Sequence, residues 1–389
     1  MKRIVIVLLL FWMMTEVQAQ SGNVFLIQDS GEKKSFITLE AFYTGDIASN
    51  LNGGIKQGVR YLGMANLNLD FDFAKAGLWK GGHLFLKGAN THGGTPSADL
   101  LGDFQTSSNI EAGNHTYFQE LWYKHTFKHL EFTIGLQDLN AEFAVSEHGA
   151  DFINSSFGVP SVISNNIPAP IFPLTTLGIT AKWNLSEFVT FQTAVYDGCP
   201  GLFDNNQYNL HWDVSENNGA LIFSELQYSA RIQKLPGIYK LGYYYHTGLR
   251  ELNSETQDYE SVFDHNYGIY FYADQDIWKG LEARKLAFFA QITLSPESIN
   301  TQNLYLGGGV HYQGLFSKSG TDVLGLAVAH AGFNPEDLQH ETTFELMYKY
   351  PVSESFYVQP DFQYIINPSG TSEKLKNASA FFLRFGFQF

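Results

Sequence analysis

The chain has 389 residues and a formal charge of −15 at neutral pH, which argues against nucleic acid or an anionic lipid headgroup as a partner. Its lone cysteine, Cys199, excludes an intramolecular disulfide framework and a thiolate-based zinc site. No segment after the first residues is apolar for the roughly 20 positions that a spanning helix needs, so any passage through a membrane has to be made by strands.

Met1-Lys2-Arg3 is a basic start, Ile4 to Met14 an uncharged apolar run, and Val17-Gln18-Ala19 a small-residue cleavage site. Together they predict a secretory signal peptide over 1–19, the apolar run being too short to cross a bilayer. Its removal takes away Lys2, Arg3 and Glu16 and leaves a charge of −16. Residues 20–35 form a short polar lead-in, and 36–389 read as one domain without a linker or composition shift.

Aromatics make up 15% of the chain, glycines number 36, and no segment keeps a helical period, so the domain is expected to be all-β. Alternating stretches lie near 36–43, 60–73, 82–90, 116–127, 130–140, 175–184, 187–196 and 220–231. They continue near 238–248, 266–274, 285–294, 303–312, 322–331, 341–350, 355–365 and 378–389, sixteen in all. In 61–73, YLGMANLNLDFDF, Ala65, Leu67, Leu69, Phe71 and Phe73 share one face and Asn66, Asn68, Asp70 and Asp72 the other.

The connections after odd strands are long through the first ten strands: 44–59, 91–115, 141–174, 197–219 and 249–265. Those after even strands are mostly short, such as Lys128-His129 and Leu185-Ser186. The last strand, FFLRFGFQF, ends on Phe389, with Leu383, Phe385 and Phe387 on one face and Phe382, Arg384 and Gly386 on the other. These features predict a transmembrane antiparallel up-and-down β-barrel of 16 strands in the outer membrane of a Gram-negative bacterium. The short turns and residues 20–35 would lie on the periplasmic side, and an aromatic last residue is common in such barrels.

In this frame the chain resembles the carbohydrate-selective porins of the OprB type. LNLDFDFAKAGLWKGGHLFLKGANTHGG (67–94), FQELWYKHTF (118–127), GLQDLNAEFA (135–144), FINSSFGVP and PAPIFPLTTLG carry the likeness through Gly178. YDGCPG (196–201), YKLGYYYHTG (239–248), YADQDIWKG (272–280), ETTFELMYKY (341–350) and QPDFQYIINPSG (359–370) extend it in order. The resemblance implies passive diffusion of mono- or small oligosaccharides into the periplasm. Its partners would be neutral sugars and outer-membrane lipid, with homo-oligomers open and no cofactor.

A sugar-passing lumen needs hydrogen-bonding side chains, flat aromatics and many weak sites in place of one tight one. Alternation turns Asn66, Asn68, Asp70, Asp72, Lys87, Glu120, Glu225 and Arg231 inward, followed by Asp274, Glu345, Asp361 and Arg384. Tyr244, Tyr270, Tyr272 and Gln359 share that face. Inward acids and bases nearly balance, nine against seven, which predicts near-neutral solute preference with slight cation selectivity. The longest connection, 141–174, with Pro160, Pro168, Pro170 and Pro173, is the third long one and is expected to fold inward as the constriction. Asp138, Asn140 and Glu142 stand at its base.

Trp79, Trp183 and Trp278 read as an interfacial girdle. No metal spacing such as H-E-x-x-H and no G-x-S-x-G elbow sits in a supporting context. The competing readings are a general diffusion porin without sugar selectivity, an outer-membrane barrel enzyme, and a secreted β-rich glycan-binding protein.

Overall fold

A strand with one face in lipid needs every backbone N–H and C=O paired with a neighbour, and a sheet achieves this without an edge only by closing on itself. The computed structural model of the chain describes residues 35–252, 259–281, 283–317, 320–334 and 340–389. The expected signal peptide 1–19, and all of 20–35 but Ser35, lie outside the described residues.

The strands are β1 (Ile37–Gly54), β2 (Gly58–Asp72), β3 (Gly82–Gly93), β4 (His115–Phe127), β5 (Leu130–Gln137), β6 (Thr176–Asn184), β7 (Val189–Asp197), β8 (Ala220–Ile232) and β9 (Leu235–His246). After them come β10 (Leu249–Leu252), β11 (Tyr259–Phe263), β12 (Asn266–Lys279), β13 (Lys285–Leu294), β14 (Gln302–Gln313), β15 (Val323–Phe333), β16 (Glu341–Ser353), β17 (Phe356–Ile366) and β18 (Lys376–Gln388). Sixteen of them form one closed antiparallel barrel, while β10 and β11 pair only with each other. The seam is β1 against β18, with Asp46 opposite Arg384 and Ile47 opposite Leu383.

Alternation sets the faces as expected. Leu67, Ile134, Ile179, Val195, Leu241, Leu326 and Leu346 point outward and are exposed, while Asp46, Gln192, Glu225, Gln291, Glu345 and Gln363 point inward and are buried. Trp79, Trp183 and Trp278 are exposed at the short-turn end, as is Phe389.

Three departures from the sequence pattern have physical causes. The expected long connection 44–59 is mostly strand: β1 continues to Gly54, and only 55–57 separate it from β2. Its Gly, Asn and Ser residues read as loop, yet Asp46, Ala48 and Asn50 keep the inward alternation. The fifth strand stops at Gln137, short of the expected 140, because Asp138 accepts the Asn140 N–H at 2.9 Å and starts a tight turn. In β4, Gln119 is an extra residue: Lys87 faces Glu120, but Gly88 faces Phe118. This bulge turns both Tyr117 and Glu120 inward.

The second loop (94–114) and the third loop (138–175) fold into the barrel. Backbone buried there has no ladder of its own, so its amides need partners from the wall. Glu225 accepts the Ala144 N–H at 3.0 Å, and Asp274 accepts the His148 N–H at 3.0 Å and the Ser146 hydroxyl at 2.7 Å. Glu345 accepts the Ile153 and Asn154 N–H groups at 2.6 and 3.0 Å. Donors satisfy the loop's carbonyls: Gln192 bonds Glu142 at 2.7 Å, Lys240 bonds Val145 at 2.6 Å, and Gln291 bonds Phe157 at 2.8 Å. Glu341 holds the second loop by accepting from the Phe104 and Gln105 N–H groups at 2.7 and 3.0 Å.

Apolar side chains of the third loop complete the fit. Leu139, Phe143 and Ile163 pack on Tyr196, Phe223, Tyr244, Tyr270 and Tyr272. Phe152 and Phe157 pack on Phe289, Tyr305 and Met347. Small residues on the facing wall leave the room they need: a Cβ on Gly325 would meet Phe152 and Met347 at 2.7 Å.

Glu345→Ala leaves the Ile153 and Asn154 amides without acceptors, at about 1–3 kcal/mol for each buried group. The third loop is then expected to leave β16, raising single-channel conductance. Conductance unchanged in both Glu345→Ala and Glu225→Ala would refute the anchoring.

Candidate functional site

The third loop is anchored to the wall from β7 round to β17, so the space left open is bounded by the opposite wall, β2 to β6. That wall is charged, with half-buried Lys87, Lys124 and Lys182 and a buried Glu120. Lys87 lies 3.6 Å from Glu120, and Lys124 lies 4.0 Å from Glu131. Glu142 of the third loop pairs with Lys124 at 3.1 Å and with Lys182 at 3.2 Å. Burial pushes the Glu142 carboxyl up, but the two ammonium groups outweigh it and hold the carboxyl below its ordinary range. The pair therefore stays ionised at neutral pH and ties the loop to β4 and β6.

An aromatic surface adjoins these charges. Beyond the bulge in β4, regular alternation puts Glu120, Trp122 and Lys124 on one inward face. Trp122 stacks on Phe85 with ring centroids 4.8 Å apart, and its Nε1 donates to Glu120 at 2.9 Å. The Lys124 ammonium sits 5.2 Å from the Trp122 ring centre. Gly135 stands opposite Trp122 at φ +137°, where a Cβ would run into the Leu121 carbonyl and the Trp122 Cα.

The residues singled out in the sequence fall into distinct places. Asn66 and Asn68 face the open side beside Lys87, and their side-chain oxygens have no hydrogen-bond partner among the described residues. Asp70 lies 3.5 Å from His83, and Asp72 accepts the Lys75 N–H at 3.0 Å to close the β2–β3 turn. Asp138 accepts from Gln119 at 3.2 Å; burial and then the nearby Glu120 push its carboxyl up to about 6. Asn140 donates to the Phe143 carbonyl at 3.1 Å and shapes the loop's first turn.

Glu225, Asp274 and Glu345 are loop anchors. Asp361 is buried on the same wall at 1% exposure. Arg384 makes two bonds to Asp46, at 2.7 and 2.8 Å, and donates to Asn109 at 2.8 Å. Arg231 is exposed, one residue from the end of β8. The inward tyrosines Tyr244, Tyr270 and Tyr272 lie beneath the third loop, each at 1% exposure or less.

Trp122 was not singled out, although the alternation from Glu120 to Lys124 already places it on that face. Lys124 and Lys182 entered only as inward charges, and no sequence signal pairs them with Glu142. Among the described residues no group of three or more His, Cys, Asp or Glu side chains could hold a metal ion.

Residues 56–389 match the profile of the carbohydrate-selective porin, OprB family. The chain is 25% identical to Porin B of Pseudomonas aeruginosa over 90% of its own length and 88% of that protein. Its fold is similar to the high-pH structure of Pseudomonas putida OprB, with a TM-score of 0.79 and 22% identity over 91% of this chain and 94% of that one. The low-pH structure of the same protein gives a TM-score of 0.59 at 18% identity, covering 91% and 92% of the two chains. The chain belongs to the OprB family of carbohydrate-selective porins and is a carbohydrate channel of the Gram-negative outer membrane, not an enzyme.

Proposed function

We propose that sugars cross along the β2–β6 wall, past a constriction lined by Lys87, Glu120, Trp122, Lys124 and the third loop's Glu142. The observation that carries this reading is the Lys124–Glu142–Lys182 bridge, which joins the inner loop to that wall and so bounds the passage beside it. Paired charges offer a sugar both donors and acceptors while nearly cancelling as a field, so a neutral solute gains more than an ion does. Trp122 supplies a flat apolar surface for the sugar's C–H face. Asn66, Asn68 and Asp70 continue the polar row on β2, and Arg231 stands at the periplasmic exit.

Glu225, Asp274 and Glu345 serve the same transport by fixing the loop, out of reach of the solute. Exposed apolar residues on strands all round the barrel support lipid as the partner of its whole outer face, with one copy sufficing for a complete pore. Residues 1–19 act in this reading as the export signal.

Titrating neutral sugars against single-channel currents tests the path. Lys87→Met combined with Lys124→Met is expected to weaken the apparent sugar affinity about tenfold, equivalent to about 1.4 kcal/mol. Sugar block of unchanged strength would remove these residues from the path.

Asp138 gains its negative charge as pH rises through about 6, so cation preference is expected to grow between pH 5 and pH 7. Reversal potentials should show that step in the unaltered channel and lose it in Asp138→Asn. A step of equal size in both, or strong anion selectivity, would count against the assignment.

A further inference from the structure

A cavity of about 290 Å³ lies at the extracellular end of the barrel, well separated in the fold from the charged β2–β6 wall. It forms where the second loop, the third loop and the connection between β9 and β12 meet the connection between β13 and β14. Phe104, Phe263 and Phe333 supply its aromatic surface, the first and last meeting edge to face at 4.9 Å. Its polar lining is mainly carboxamide, Asn165, Asn166, Asn266, Asn300 and Gln302, with the Thr301 hydroxyl and no charged side chain among the described residues.

The amide nitrogens of Asn166, Asn266, Asn300 and Gln302 are all held by neighbouring groups. Asn266 Nδ2 donates to Asn300 Oδ1 at 2.8 Å, and Asn300 Nδ2 returns a bond to Asn266 Oδ1 at 3.0 Å. Asn166 Nδ2 donates to the Gln302 backbone carbonyl at 2.7 Å, and Gln302 Nε2 donates to the Ser161 hydroxyl at 2.6 Å. These bonds consume donors and leave acceptors. Gln302 is 1% exposed, and its Oε1 has no partner among the described residues. Each bonded asparagine oxygen keeps a second lone pair.

Acceptors beside aromatic faces fit a ligand that donates hydroxyls and presents C–H surfaces. They offer an anion no charge to pair with, and they hold no carboxylate for a cation. We propose that this cavity is a second carbohydrate site, which captures a neutral pyranose at the extracellular face before it reaches the constriction. It shares its ligand class with the transport path but none of its residues.

Thr301 lines the cavity, is exposed, and holds Asn334 only through its backbone carbonyl at 2.8 Å. Thr301→Trp therefore fills the space without removing a carboxamide bond. The test uses the full folded protein in detergent and methyl α-D-glucopyranoside as probe, reading saturation transfer from protein aromatic protons to the sugar. Single-channel currents are recorded with the same sugar added on either side.

Thr301→Trp is expected to lose most of the transfer and to slow sugar arrival from the extracellular side about fivefold, with open-channel conductance unchanged. Transfer and arrival rates equal to those of the unaltered protein would overturn the capture site. Failure of the transport reading has a different signature: currents indifferent to sugar, alongside transfer that Thr301→Trp still abolishes.

Discussion

Polypeptide backbone buried inside a barrel has to find hydrogen-bond partners that only the wall's side chains can supply, and the channel owes its shape to that requirement. Glu225, Asp274 and Glu345 give acceptors to loop amides, while Gln192, Lys240 and Gln291 give donors to loop carbonyls. Because these partners lie from β7 round to β16, the loop is drawn to one side. The bore is therefore bounded by a packed loop on one flank and by a bare strand wall on the other. Nothing in the strands alone would make it so.

The same asymmetry sorts the charges. On the packed flank, carboxylates are spent on backbone amides and lie buried. On the open flank they meet ammonium groups: Lys87 with Glu120, and Lys124 and Lys182 with Glu142. Their ammonium groups are half-buried and keep part of their surface towards the lumen, where they can meet a solute. Glu142 stands apart, since it belongs to the loop and also bounds the passage.

Strand number, strand faces and barrel closure were legible in the sequence because alternation is a local property, repeated on every strand. Residues 44–54 were missed because GDIASNLNGG carries turn-forming residues, and only pairing with β2 and β18 makes it strand. The inward direction of Glu225, Asp274 and Glu345 was read correctly, but alternation fixes a face and says nothing of what lies over it. Which carboxylates border the lumen and which hold the loop depends on contacts 81 to 192 residues apart in the chain. The bulge at Gln119 was equally hidden, and it decides that Tyr117 turns inward together with Glu120.

The ion pair at the seam bears on the order of assembly. Asp46 comes from the first strand and Arg384 from the last, and Ser108 and Asn109 of the second loop bond to that pair at 2.7 and 2.8 Å. The berth for the second loop thus does not exist until the two ends of the sheet have met. An unclosed sheet would leave Asp46 without its cation and the loop without a place to settle. Seating of the second loop is in this way made contingent on completion of the wall.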